Sequence, residues 1–335
     1  MPDALSRLLS DRDWLLADGA TGTNLFNAGL ASGDAPELWN ETKTDAIRDL
    51  YAGAVDAGSD VFLTNTFGAN RARLKLHDAM DRAHALNRAG AAIGREVADA
   101  AGRPVIVAGS MGPTGEIMAP MGPMTHEVAV AIFHEQAEGL KAGGADVLWV
   151  ETISAPEELR AAAEAAALAD MPWCVTMSFD TAGRTMMGTT APDMARLVGR
   201  LPHPPVAFGA NCGVGASDLL RTVLGFDSGP LIAKGNAGIP KYHDGHIHYD
   251  GTPELMADYA VLARDAGARI IGGCCGTTPE HLRHMRGALE ATPRGPRPSL
   301  DLVAEKLGGF SSADDGTGPA TGRTRERRGR RRSAA

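Results

Sequence analysis

Three cysteines in this chain have the company of reactive groups. "GGCCGTTP" at 272–279 sets Cys274 beside Cys275 among glycines, and "GANCGVG" at 209–215 gives Cys212 a similar setting. Cys174 lies in the apolar run "WCVTMSFD" at 173–180 and reads as a small buried hydrophobe. Four cysteines in 335 residues do not make a disulfide framework, so metal binding or catalysis is the expected use. Three thiolates suit zinc, at a Zn–S distance of about 2.3 Å. Sulfur ligands argue against magnesium, calcium and manganese, which prefer oxygen. Three protein ligands leave the fourth tetrahedral position to water or substrate, as in catalytic zinc. Two other readings stand beside this one: a vicinal Cys274–Cys275 disulfide, and two unrelated structural cysteines.

Two further features carry possible chemistry. His243, His246 and His248, in "HDGHIHYDG", form a rival metal cluster or a loop facing the substrate. Lys234 sits inside apolar "LIAKGNAG", a setting that suits either a charged supporting group or a Schiff-base lysine, whose pKa falls on burial. The Schiff-base reading would make the chain a lyase or aldolase.

The cysteines can act together only on a scaffold that gathers distant segments. Eight apolar runs of strand length recur along the chain, at 14–20, 60–67, 104–112, 146–153, 173–180, 205–213, 230–238 and 268–276. Their near-continuous apolar character fits parallel strands covered on both faces. The stretches between them have helical period. In "TDAIRDLYAGAVDAG", Ile47, Leu50, Tyr51, Ala54 and Val55 share one face, and in the stretch from Thr125, Val128, Ile132, Ala137 and Leu140 do. Eight strand–helix units predict a (β/α)8 TIM barrel in a single domain. A doubly wound sheet is the alternative, disfavoured because no GxGxxG follows the first strand. The expected divisions are a lead-in at 1–12, the barrel at 13–307 and a disordered Gly/Ser/Arg-rich tail at 308–335.

Polar residues collect where such strands end: Asp18 and Gly19, Asn65, Ser110, Glu151, Asn211 and Cys212, Lys234 and Asn236, Cys274 and Cys275. In a barrel these ends share the catalytic rim. Consecutive strand residues point to opposite faces, so Cys274 and Cys275 require a strand that has already bent. Gly272, Gly273 and Gly276 are the residues expected to permit it.

Bulk properties narrow the class. No apolar stretch is long enough to span a bilayer, and the N-terminus does not read as a signal peptide, so a cytoplasmic protein is expected. The net charge of −8 hides a segment, "RTRERRGRRRSAA", of about +6. The remaining body is acidic and is not a nucleic-acid surface. The Arg tail reads as a solubilising appendage; the alternative is an interaction protein that recruits an acidic partner or RNA through it.

The motifs "DGATGTNL" (18–25), "TNTFGANRARL" (64–74), "WVETI" (149–153), "GANCGVG" and "GGCCGTTPEHL" (272–282) resemble the zinc-dependent homocysteine S-methyltransferases, closest to the bacterial betaine–homocysteine type. The resemblance covers about residues 13–290. It implies Cys212, Cys274 and Cys275 as zinc ligands, and Asp18, Gly19 and Glu151 as contacts to the amino-acid end of homocysteine. It implies transfer of a methyl group to the zinc-bound homocysteine thiolate, giving methionine. Glycine betaine is the first donor expected; the alternative is a corrinoid protein, as in a split cobalamin-dependent methionine synthase. Phe67, Asn65 and Trp39 are the candidate donor-side residues. The animal betaine enzymes carry Tyr after the Thr-Phe of this motif, whereas this chain has Gly68, expected to leave an open rim. An oligomer is a further implication of the family.

Overall fold

Each of the eight apolar runs becomes a parallel strand in the computed structural model. The structure describes residues 2–314 except 181, 228, 239–240 and 244–245, with backbone alone for 241–243 and 246–248. The barrel strands are β1 (Leu15–Leu16), β2 (Val61–Leu63), β3 (Ile106–Met111), β4 (Val147–Ile153), β5 (Trp173–Met177), β6 (Ala207–Cys212), β7 (Leu231–Gly235) and β10 (Ala268–Gly273). An antiparallel pair, β8 (Lys241–His243) and β9 (His246–His248), follows β7 and was not expected from the sequence. The sheet order β1-β10-β7-β6-β5-β4-β3-β2 is closed by an Ala17–Val61 bridge and by Asp60 N donating to Leu16 O at 2.7 Å. This is a (β/α)8 barrel, and the doubly wound alternative falls.

The barrel interior explains the apolar runs. Leu15, Val61, Ile106, Val147, Cys174, Ala207, Ile232 and Ile270 fill it, all buried. Leu5, Leu8 and Leu9 of helix Ala4–Asp11 join that cluster and close the N-terminal end. The expected lead-in is therefore a plug. Its helix starts at Asp3, whose side chain accepts from Ser6 N at 2.8 Å. Each buried leucine contributes up to about 2 kcal/mol.

The helices form the outer layer. Pro156 and Pro253 stand at helix starts, where a missing N–H costs nothing. In helix Thr44–Asp56, Ile47, Tyr51, Ala54 and Val55 are buried as their spacing predicts. Val128 is a correction: it is 49% exposed, because it lies in the first turn of helix His126–Ala142, where the chain has just left the rim loop. The tail expected at 308–335 is described as far as residue 314. Phe310 packs beside Arg221, whose guanidinium lies 4.5 Å from the ring centroid, and Ser311 N donates to Asp218 at 2.9 Å. The Arg-rich segment 323–335 lies outside the described residues. Among the described residues no helix is long and apolar enough to cross a membrane.

Candidate active site

Strand β6 ends on Cys212, whose φ of 60° puts a non-glycine residue in the left-handed region. Such a conformation costs roughly 1–3 kcal/mol and persists only where the surroundings enforce it. It turns the chain as the strand finishes. Strand β10 stops at Gly273, so Cys274 and Cys275 occupy the turn beyond it, and the alternation of strand side chains does not apply to them. Gly276, at φ 81°, supplies the dihedral freedom expected of it. Gly272 serves differently: a Cβ there would stand 2.8 Å from Asp18 O and the Ala17 side chain. It is small for close approach.

The turn is fixed by backbone bonds to β7 and its continuation. Cys274 N donates to Gly235 O at 2.7 Å, Ala237 N to Cys275 O at 2.9 Å, and Cys275 N to Asn236 Oδ1 at 3.0 Å. As a result the sulfurs of Cys212, Cys274 and Cys275 lie within 4.8 Å of one another. All four cysteines are free thiols, which removes the vicinal disulfide. Asn211 Nδ2 lies 3.9 Å from the Cys274 sulfur and Asn236 Nδ2 lies 3.7 Å from that of Cys212.

The trio fits a soft metal ion. Hydrogen bonds from the Cys274 and Cys275 thiols pull the Cys212 pKa down, while the same sharing pushes Cys274 up. A divalent ion at the centre would be needed to turn all three into thiolates, and sulfur ligands select a soft one.

Below the sulfurs lie two buried acids and one buried amine. Lys234 Nζ pairs with Asp18 Oδ1, and Leu63 N donates to Asp18 Oδ2 at 2.8 Å. Burial alone would push the Lys234 pKa down, but Asp18 and Glu151 outweigh it and hold the ammonium charged. A protonated, paired amine does not attack carbonyls, which argues against the Schiff-base reading. Glu151 accepts from Ser110 Oγ at 2.5 Å. Burial pushes its carboxyl up to about 7, against the pull of Lys234. Gly19 packs against Thr277, whose carbonyl oxygen would stand 2.8 Å from an added Cβ, so the "DGATGT" turn abuts the turn that carries the cysteines.

The donor-side candidates separate. Phe67 is half-buried and faces the Arg73 guanidinium at 5.5 Å. Asn65 is buried, bonded to Tyr51, Pro36 and Asn40, and serves the scaffold. Trp39 is buried with the Lys43 ammonium 3.8 Å from its ring centroid. Gly68 does not leave an open rim. Its N–H donates to Glu37 Oε1 at 2.6 Å, and a Cβ there would come within 2.7 Å of that oxygen. The space expected beside Gly68 is filled by the buried Glu37 carboxylate. The side chains of His243, His246 and His248 lie outside the described residues; their backbone forms the β8–β9 pair.

Sequence reasoning placed Ser110, Asn211, Lys234 and Asn236 at the rim without giving them partners. It missed Glu37 and Tyr249, whose ring packs against Gly276. Position in a known strand is a signal for the first four; nothing in the local pattern marks the last two. A cavity of about 860 Å³ runs along the outer wall between helices Pro156–Leu168 and Ala191–Val198 and contains none of these residues.

Comparison with known proteins agrees with this geometry. Residues 15–289 match the homocysteine S-methyltransferase family. Methionine synthase from Mycobacterium tuberculosis is 32% identical over 302 residues, 84% of this chain and 25% of that protein. The Mycobacterium leprae methionine synthase is 32% identical over 307 residues, with the same shares. The chain thus spans about a quarter of the length of these curated relatives. Among solved structures, the homocysteine methyltransferase MmuM from Escherichia coli superposes with a TM-score of 0.71 at 26% identity in its oxidized form. Its metallated form gives 0.70 at 27%, and both cover 85% of this chain and 99% of theirs. The matched span holds all three rim cysteines and both buried acids, and on that extent of agreement the chain belongs to the homocysteine S-methyltransferase family.

Proposed function

We propose that this chain methylates the thiol of homocysteine to give methionine, with zinc held by Cys212, Cys274 and Cys275. The observation that carries the reading is the gathering of those three sulfurs within 4.8 Å at the barrel rim. Zinc is the ion best matched to three thiolates and an open position, where it would supply the acidity that takes a thiol from its usual pKa of about 8.5 to thiolate at neutral pH.

The chain's own residues do the rest. Asn211 and Asn236 orient the sulfurs by donating to them. Glu151 receives the α-ammonium of the amino acid through the oxygen that Ser110 does not occupy. The homocysteine sulfur forms its bond to the methyl carbon as the bond to the donor's leaving atom breaks. No acyl or imine link to the protein is required.

Two donors divide the reading. The similarity to methionine synthases over 84% of this chain supports a methyl group carried by a corrinoid protein. Glycine betaine is the second reading, supported by the Glu37 carboxyl group beside Gly68, which when ionised would attract a cationic donor. The test supplies purified chain and homocysteine with betaine, a methyl-sulfonium compound, or methylcobalamin free and protein-bound, and measures methionine. Methionine from none of them would sink the proposal, and the donor that supports turnover decides between the two.

A further inference from the structure

Lys234 is the only buried lysine among the described residues, and the chemistry of methyl transfer gives it no task. Its surroundings do. It lies on β7 level with Asn211 on one side and Gly272 on the other, directly beneath the turn that carries Cys274. Its ammonium pairs with Asp18 Oδ1 and approaches Asp18 O at 3.4 Å, reaching across β10 to β1. Trp149 lies against it, with the ring centroid 5.9 Å from the nitrogen. Asp18 is then fully engaged: Leu63 N takes Oδ2, and Gly273 N donates to the carbonyl at 3.0 Å. Glu151 differs. Ser110 occupies Oε1, and among the described residues no hydrogen bond reaches Oε2.

Charge and geometry therefore give the two acids different work. With both acids ionised, two buried carboxylates and one buried ammonium leave the pocket one positive charge short. The carboxylate that lacks a counter-ion is the one with a free oxygen. An isolated buried charge is costly, so a pocket built this way favours a ligand that brings a single cation.

We propose that Lys234 is a positioning residue for substrate: it takes up Asp18, makes that pair electrically silent, and reserves Glu151 for the α-ammonium of homocysteine. This rests on the homocysteine reading above. Removing either member of the pair breaks the arrangement in a different way. Lys234→Met leaves two carboxylates around one ammonium. Asp18→Asn frees the lysine to pair with Glu151 and exclude the substrate's ammonium. Removing both restores one carboxylate for one cation.

The test measures methionine and homocysteine binding to the purified protein by calorimetry, with thermal unfolding alongside. Methionine carries the same amino-acid end and no titrating thiol. Each single substitution weakens methionine binding by about tenfold or more, and Asp18→Asn/Lys234→Met returns it to within about threefold of the native chain. A purely structural pair would lose and regain thermal stability with binding unchanged in every folded variant, and that result overturns the proposal. So does a double variant that binds no better than the weaker single one, or that fails to fold, since a silent pair is replaceable. If one single variant does not fold, the other and the double decide the matter. If the native chain binds neither methionine nor homocysteine, the functional reading has failed and this inference falls with it. Binding by the native chain without rescue in the double sinks this inference alone.

Discussion

The two ends of the barrel bury charge in opposite proportion. At the N-terminal end one carboxylate, Asp60, is gripped by three guanidiniums: Arg12 at 2.5 Å, Arg286 at 3.0 Å and Arg103 at 3.5 Å. At the rim two carboxylates and three sulfurs share one ammonium, that of Lys234. The arginines are about a third exposed, so water screens their excess. The rim carboxylates are buried and the three cysteines only partly exposed, so water relieves that excess less. On the proposed reading the first cluster is complete as it stands, while the second takes cations from outside: a metal ion and the α-ammonium of a substrate.

The strongest way to break that contrast is to remove a sulfur. Cys274→Ser should lower bound zinc from about one per chain to almost none, measured by metal analysis, and abolish methionine formation while the barrel stays folded. A variant that kept both metal and activity would mean the rim cluster was never short of a cation. The opposite end predicts the opposite pattern. Asp60→Asn should destabilise the chain by about 2 kcal/mol, less than a fully buried pair because the arginines are part exposed, with zinc content unchanged. Denaturant unfolding reads the first quantity and metal analysis the second.

Much of this was legible because a barrel repeats one unit. Apolar runs covered on both faces gave all eight strands, and the rim rule then placed Asp18, Glu151 and the cysteines at one end. The pairing of Asp18 with Lys234 was not legible. It reaches across β10, and nothing in "ADGAT" or "IAKGN" states which strand end will be opposite. Glu37 escaped for the same reason: the partner that fills the space beside Gly68 comes from a short helix thirty-one residues earlier. The plug helix escaped because eight residues before the first strand carry no period distinct from that of any amphipathic surface helix. Burial of Leu5, Leu8 and Leu9 is a property of the closed barrel alone.

A third measurement sharpens the rim half of the contrast through pH. Burial holds the Glu151 pKa near 7 against an ordinary 4.5. The folded chain thus keeps this proton more firmly than the unfolded chain does. Its stabilising share is complete below about 4.5 and is lost as pH rises through about 7. Binding of an ammonium runs the other way, because it needs the carboxylate. Methionine affinity should rise by about tenfold per pH unit up to that midpoint and then level off. Glu151→Gln should flatten the profile and weaken binding. An unchanged profile in Glu151→Gln would assign the ammonium to another group.

The smallest effect belongs to the fourth cysteine. Cys174 is fully buried in the lower barrel, and burial pushes its thiol far above the ordinary range, so it is neither nucleophile nor metal ligand. Cys174→Ala removes one sulfur from the packed interior and should cost about 1 kcal/mol, with metal content and turnover those of the native chain. Cys174→Ser should cost more, because its hydroxyl asks for a partner that the surrounding Ala207 and Ile232 side chains do not supply. The order native, then Ala, then Ser in unfolding midpoint, with zinc constant throughout, is what an apolar floor requires. A loss of zinc in Cys174→Ala would instead join the floor to the rim and end the division between them.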